Sequence, residues 1–121
     1  MHNYNSIVAL EASCAVRLVK SMVLPAAIKY QSELASMIKA VEGVSKANQS
    51  KGTKALLKEV CRDTENIINT LADLESIIDS HKSLKTIEAM TNVRKAVDAL
   101  EPLVPAQQWP LPSYAEMMFM M

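Results

Sequence analysis

Apolar residues recur at helical spacing along most of this 121-residue chain, and no run alternates with the two-residue period of a strand. Ile7, Leu10, Cys14 and Leu18 step by three and four, and Ile28, Leu34, Ile38 and Val41 carry the stripe onward. This predicts a first helix over about 5–43. Pro25 lies inside it. A proline there removes the hydrogen bond to the Ser21 carbonyl and crowds that oxygen, so a kink rather than an end is expected. Gly43 suits the position just past the last helical residue, with a polar break over Ser45 to Gly52.

A second helix, about 53–80, repeats Leu57, Val60, Thr64, Ile67, Leu71, Leu74 and Ile78, close to a heptad seam. Ser80-His81-Lys82-Ser83 interrupts it, and Ser80 or Ser83 suits the cap of a third helix over about 83–103. That helix carries Ile87, Met90, Val93, Val97, Leu100 and Val104, and Pro102 and Pro105 close it. In the remaining tail, 104–121, Trp109-Pro110-Leu111-Pro112 reads as extended backbone. Ser113, with Glu116 three positions on, has the capping-box spacing for a short terminal helix.

Short connections between long helices make neighbours antiparallel. The expected fold is therefore all-α and a single domain, 1–121: an antiparallel three-helix bundle with a long Pro-kinked first helix and an extended tail ending in a short helix. Dimerisation would complete it to a larger bundle. With the first turn centred near residue 49, Cys61 falls level with about residue 37. That is roughly 35 Å along the bundle from Cys14, so two free thiols are expected. Both cysteines read as small core hydrophobes. The same count leaves the residues before Leu18 overhanging, with Ile7, Leu10 and Cys14 uncovered, and an uncovered apolar stripe marks an interface. The tail supplies the other candidate interface residues, Trp109, Leu111, Tyr114, Met117 and Phe119. Met117, Met118, Met120 and Met121 add adaptable apolar surface.

Composition narrows the function. Hydrophobic residues make up 50%, but aromatics only 4% and glycine two residues, which favours packed helices. Thirteen basic and thirteen acidic residues cancel, so no global field attracts nucleic acid. No segment reaches the ~18 apolar residues of a membrane span, and Glu11 interrupts an N-terminal stretch that lacks a basic start. Two cysteines without an export signal point to a reducing, cytoplasmic setting.

Catalytic chemistry is hard to assemble from these residues. Gly43 and Gly52 are too far apart for a phosphate-cradling loop, and no His-Glu-x-x-His or Cys-x-x-Cys spacing occurs. His81 stands ahead of Leu84-Lys85, faintly like a histidine phosphotransfer domain. The leucine is one position late for that pattern and its glycine is missing, so a solvated turn histidine is the plainer reading. Glu11 reads as an edge-exposed carboxylate. No catalytic, cofactor-binding or metal-binding residue is assigned.

Three segments resemble a known family. Trp109-Pro110-Leu111-Pro112, with Tyr114, Glu116, Met117 and Phe119, is similar to the C-terminal end of type III glutamine synthetases. Leu24-Pro25-Ala26-Ala27 followed by Tyr30-Gln31 and Leu34 resembles that family's Leu/Ile-Pro-x-Ala-x-x-Tyr-Gln pattern, and Ile7 to Ala12 its Ile-x-Ile-Glu-Ala helix. Asp98 to Val104 agrees in character, while 45–90 is generic helix. The resemblance implies a non-catalytic C-terminal domain for structure and oligomerisation. Its partners would be the parent's catalytic domain and other subunits, in a homo-oligomer. The parent's reaction is ATP-dependent ligation of ammonia to glutamate, with ATP and a divalent metal as cofactors. None of that chemistry is expected of these residues alone. Tyr30 and Gln31 would either meet the catalytic domain or pack beside the kink. The competing reading is a free-standing helical interaction or adaptor module, with phosphotransfer third.

Overall fold

The structure, a computed structural model, describes residues 2–44, 50–80 and 82–109, with side chains from Ser6 onward. It is all-helical, and no strand occurs among the described residues. The first helical run comprises α1 (His2–Leu18), a π-helical turn (Val19–Val23) and α2 (Leu24–Val44) without a break. It is followed by α3 (Lys51–Ile77) with a 3-10 extension (Ile78–Ser80), and by α4 (Ser83–Leu100) with a 3-10 turn (Glu101–Leu103).

The first helix does not end at Pro25. What stands there is a widened turn: the Leu24 N–H reaches back five residues to the Val19 carbonyl. Because Pro25 has no N–H to offer Ser21, the local ladder is re-drawn rather than broken. The Ser21 hydroxyl donates to the Arg17 carbonyl at 2.7 Å, a side chain bonding back onto its own helix.

α3 runs antiparallel to this long helix. Lys54 Nζ lies 2.7 Å from Glu42 Oε2, Cys61 Sγ donates to Gln31 Oε1 at 3.4 Å, and Lys20 Nζ meets Glu75 Oε2 at 2.8 Å. These exposed or half-exposed pairs fix register more than they stabilise, each contributing at most about 1 kcal/mol. Cys61 is thus level with Gln31, not residue 37: α3 starts two residues earlier than expected and sits further along its partner. From Gln31 to Cys14 is still roughly 25 Å at 1.5 Å per residue.

The heptad seam of α3 is buried as expected at Val60, Thr64, Ile67, Leu71 and Leu74, with the Thr64 hydroxyl satisfied by the Val60 carbonyl at 2.7 Å. α4 packs on α3 and α1 through Val93, Ala96, Val97 and Leu100. Thr86 takes the buried place expected for Ile87, which stays exposed.

α1 departs most from the expected pattern. Its buried side chains are Val8, Ala12 and, in the π turn, Val19 and Val23, a stripe turned away from Ile7, Leu10 and Cys14. The stretch before Leu18 therefore does not overhang. It lies on α4 and on the 3-10 turn after α3, whose rise of about 2 Å per residue extends α3's reach.

Other boundaries shift for local reasons. Gly43 and Gly52 are both helical, and neither has a positive φ. Among the described residues of this junction, Ser50, just ahead of α3, is left-handed (φ 50°). Neither Ser80 nor Ser83 caps α4: the cap position is Lys82, without a side-chain bond, and Ser83 is already helical. The Ser80 hydroxyl accepts the Lys82 N–H at 3.3 Å and donates to the Ile77 carbonyl at 2.6 Å.

Leu74 is 0% exposed where α3 meets its partners, so Leu74→Ala should cost about 2–5 kcal/mol in urea denaturation. Leu84→Ala, at an 82% exposed position, should stay within about 0.5 kcal/mol.

Candidate functional site

The outward face of α1 is the first candidate. Residues 7, 10 and 14 share one arc of the helix, and all three are exposed, Ile7 at 55% and Leu10 at 65%. The inward face carries the smaller Val8 and Ala12, both buried. Over its first half α1 thus turns its larger aliphatic groups outward, while Leu18 at its end packs against the core. Cys14 is an exposed free thiol on this face, not a core residue, while Cys61 is half-buried against Gln31. Glu11 is exposed at the edge of the stripe, as expected.

The second candidate lies at the far end. After Val104 the chain makes a tight turn in which Gln108 N–H and Trp109 N–H both donate to the Pro105 carbonyl, at 2.9 and 3.1 Å. Trp109 packs, half-buried, against the bundle's own core. Gln108 Nε2 donates to Glu33 Oε2 of α2 at 3.0 Å and pins this turn to the long helix. Gln108 Oε1 and Trp109 Nε1 are buried with no partner among the described residues. Leu111, Tyr114, Met117 and Phe119 lie outside the described residues, as do the capping box at Ser113 and the terminal Met cluster.

The two candidates do not form one site. Cys14 and Glu33 are roughly 30 Å apart along the helix. Tyr30 packs beside the core and Gln31 holds Cys61, which accounts for both by packing within this chain.

Among the described residues no three His, Cys, Asp or Glu side chains converge as metal ligands. Both glycines are built into helices, so neither forms a phosphate loop. A cavity of about 110 Å³ between the start of α1 and the turn after α3, touched by Val8, Asp79, Lys82 and Thr86, falls well short of the ~300 Å³ that small ligands need. His81 lies outside the described residues. No helix is long and apolar enough to cross a membrane among the described residues.

Sequence reading placed Ile28, which is 57% exposed, on the apolar stripe, and missed five further exposed apolar residues: Met22, Ile68, Leu84, and Met37 and Val44 on α2. The signal for the last two was present, since they fall at helical spacing with Glu33 and Ala40, but the eye follows the longer stripe.

Comparison with known proteins adds two findings. Residues 1–42, essentially the long helix, match the family model of the glutamine synthetase C-terminal domain. A type-3 glutamine synthetase of Dictyostelium discoideum is 29% identical over 133 aligned residues, taking in 97% of this chain and 18% of the relative. The chain thus spans less than a fifth of that relative's length. No solved structure matches.

Both thiols should react with Ellman's reagent, Cys14 at once and Cys61 more slowly, as their exposures dictate. A Cys14–Cys61 peptide in a nonreducing digest would contradict the register described above.

Proposed function

From a chain related to the C-terminal domain of type III glutamine synthetase, as its sequence resemblance indicated, we propose a structural role: it braces the catalytic part of a longer enzyme or joins its subunits. The parent activity would be ATP-dependent ligation of ammonia to glutamate. The helical domain itself would be non-catalytic, and the setting cytoplasmic. The observation that carries this reading is the inverted apolarity of α1, with Ile7 and Leu10 turned outward over buried Val8 and Ala12.

Magnitude favours an attached partner over a free one. Apolar area is worth about 25 cal/mol per Å², and stable interfaces bury about 800 Å² per partner. A stripe of two aliphatics and a thiol offers far less. Covalent connection removes that difficulty, because a tethered domain faces the stripe at an effective concentration in the millimolar range. Cover by another part of the same polypeptide is therefore the first expectation, and association of subunits adds to it.

Purified chain should show no ATP-dependent γ-glutamyl transfer; turnover that persists after removal of contaminating synthetase would end the non-catalytic reading. The bared stripe should also produce weak self-association, a light-scattering mass that climbs from about 10 to about 500 μM, and Leu10→Glu should abolish it. A mass that stays monomeric throughout would remove the interface assignment.

A further inference from the structure

α3 carries its charges in the order least favourable to a lone helix. Lys51, Lys54, Lys58 and Arg62 crowd its first half, and from Asp63 to Asp79 every charged residue is acidic. The positive end of the helix dipole thus meets cations and the negative end anions, and both raise the energy of the helix. Lys54, Lys58 and Arg62 also follow one another at i+4 steps, where like charges repel. Two of these charges are answered within the chain, Lys54 by Glu42 and Glu75 by Lys20. Among the described residues no ion pair takes Lys51, Lys58, Arg62, Glu65 or Asp73, and all five are exposed.

These charges lie on the face of α3 turned away from the bundle. An outward seam runs there from Lys51 to Ser76 at alternating steps of four and three, opposite the buried Val60, Ile67 and Leu74. The seam is its own antiparallel complement. Turned end for end about the point midway between residues 63 and 64, Arg62 falls on Glu65, Lys58 on Asn69 and Ala55 on Ala72. No like charges meet, and the facing alanines leave room for two backbones to approach. Other pairings fail. A parallel one sets Arg62 on Arg62. A slip of one heptad in one direction sets Lys58 on Arg62, and in the other it leaves Arg62 on Ala72 and Glu65 on Asn69.

We propose that the outward face of α3 docks antiparallel on the same face of a second copy of this chain, with Arg62 of each copy paired to Glu65 of the other. Charge complementarity selects that occupant, and the chain's formal net charge of zero sets no global repulsion against it. From Lys51 to Ser76 is roughly 37 Å of helix. At a helix width of about 10 Å the contact covers roughly 370 Å² per copy, under half the ~800 Å² of a stable interface. It is therefore weak between isolated chains and gains strength where other joints already hold the copies together. The contact serves the joining role proposed above, yet it stands on α3 alone, whatever covers α1. Salt separates the two. At about 1 M the Debye length is about 3 Å, which screens the α3 pairing and leaves the apolar association through α1 to be read by itself.

Sedimentation equilibrium of the full chain at about 1 mM, in a Leu10→Glu background that removes the α1 contact, tests the pairing. At about 10 mM salt the mass should rise toward the dimer, and at about 1 M salt it should return to the monomer. Arg62→Glu and Glu65→Arg, made in separate chains, should each weaken association about tenfold or more. An equimolar mixture of those two chains should recover it, because each then presents the charge the other lacks. A mixture no more associated than its components overturns the proposal. So does association that neither variant weakens, association that salt leaves unchanged, or a monomer at low salt. Independently, dilution of the Leu10→Glu chain at low salt should shift the amide resonances of α3 between Lys51 and Ser76. Shifts confined to the other helices overturn the proposal even if the charge variants fail to fold.

Discussion

A helix that passes a proline has one carbonyl too many, and the way this chain resolves that excess governs its architecture. Pro25 gives the Ser21 oxygen no hydrogen, yet the helix runs unbroken from His2 to Val44. Widening one turn lets the Leu24 N–H reach Val19, and the buried side chains of Val19 and Val23 hold the widened turn against the rest of the bundle. Had the helix ended there, α1 and α2 would be separate elements free to pack at independent angles. Because it continues, one rod serves two different surroundings: among the described residues its first half meets α3 and α4, and its second half chiefly α3.

How far the sequence revealed this depends on whether a pattern had rivals. The α3 seam was plain, because Val60, Thr64, Ile67, Leu71 and Leu74 are the one apolar stripe on a helix otherwise rich in charge. α1 misled, because two apolar stripes share one helix. Ile7, Leu10, Cys14 and Leu18 are larger and more regular, whereas the face that is buried reads Val8, Ala12, Val19 and Val23. A widened turn also adds a residue to the repeat, so a stripe traced across Pro25 at ideal spacing slips out of phase. Helix ends were legible to within a few residues, but capping residues were not, since serine at 50, 80 and 83 competes for similar roles.

The exposure of Ile7, Leu10 and Cys14 has a different ground from the one expected. Ile7, Leu10 and Cys14 were expected to lack cover because α3 seemed too short to reach them. They lack it although the helix beneath them is packed, because they point the other way. Family likeness falls where the architecture is most demanding: the matched stretch, 1–42, is the rod with its proline. Trp109 shows the converse. Its tight turn and the Gln108–Glu33 bond beside it tie it to this chain's own helices, so an aromatic read as a hook is at least in part a clasp.

The geometry of the rod also sets a mechanical ratio. From Cys14 to Val44 is about 45 Å of continuous helix. A tilt of only about 5° where α1 is seated would carry the far tip sideways by about 4 Å, close to one residue's step along an extended strand. Small adjustments at one end of such a beam arrive at the other magnified.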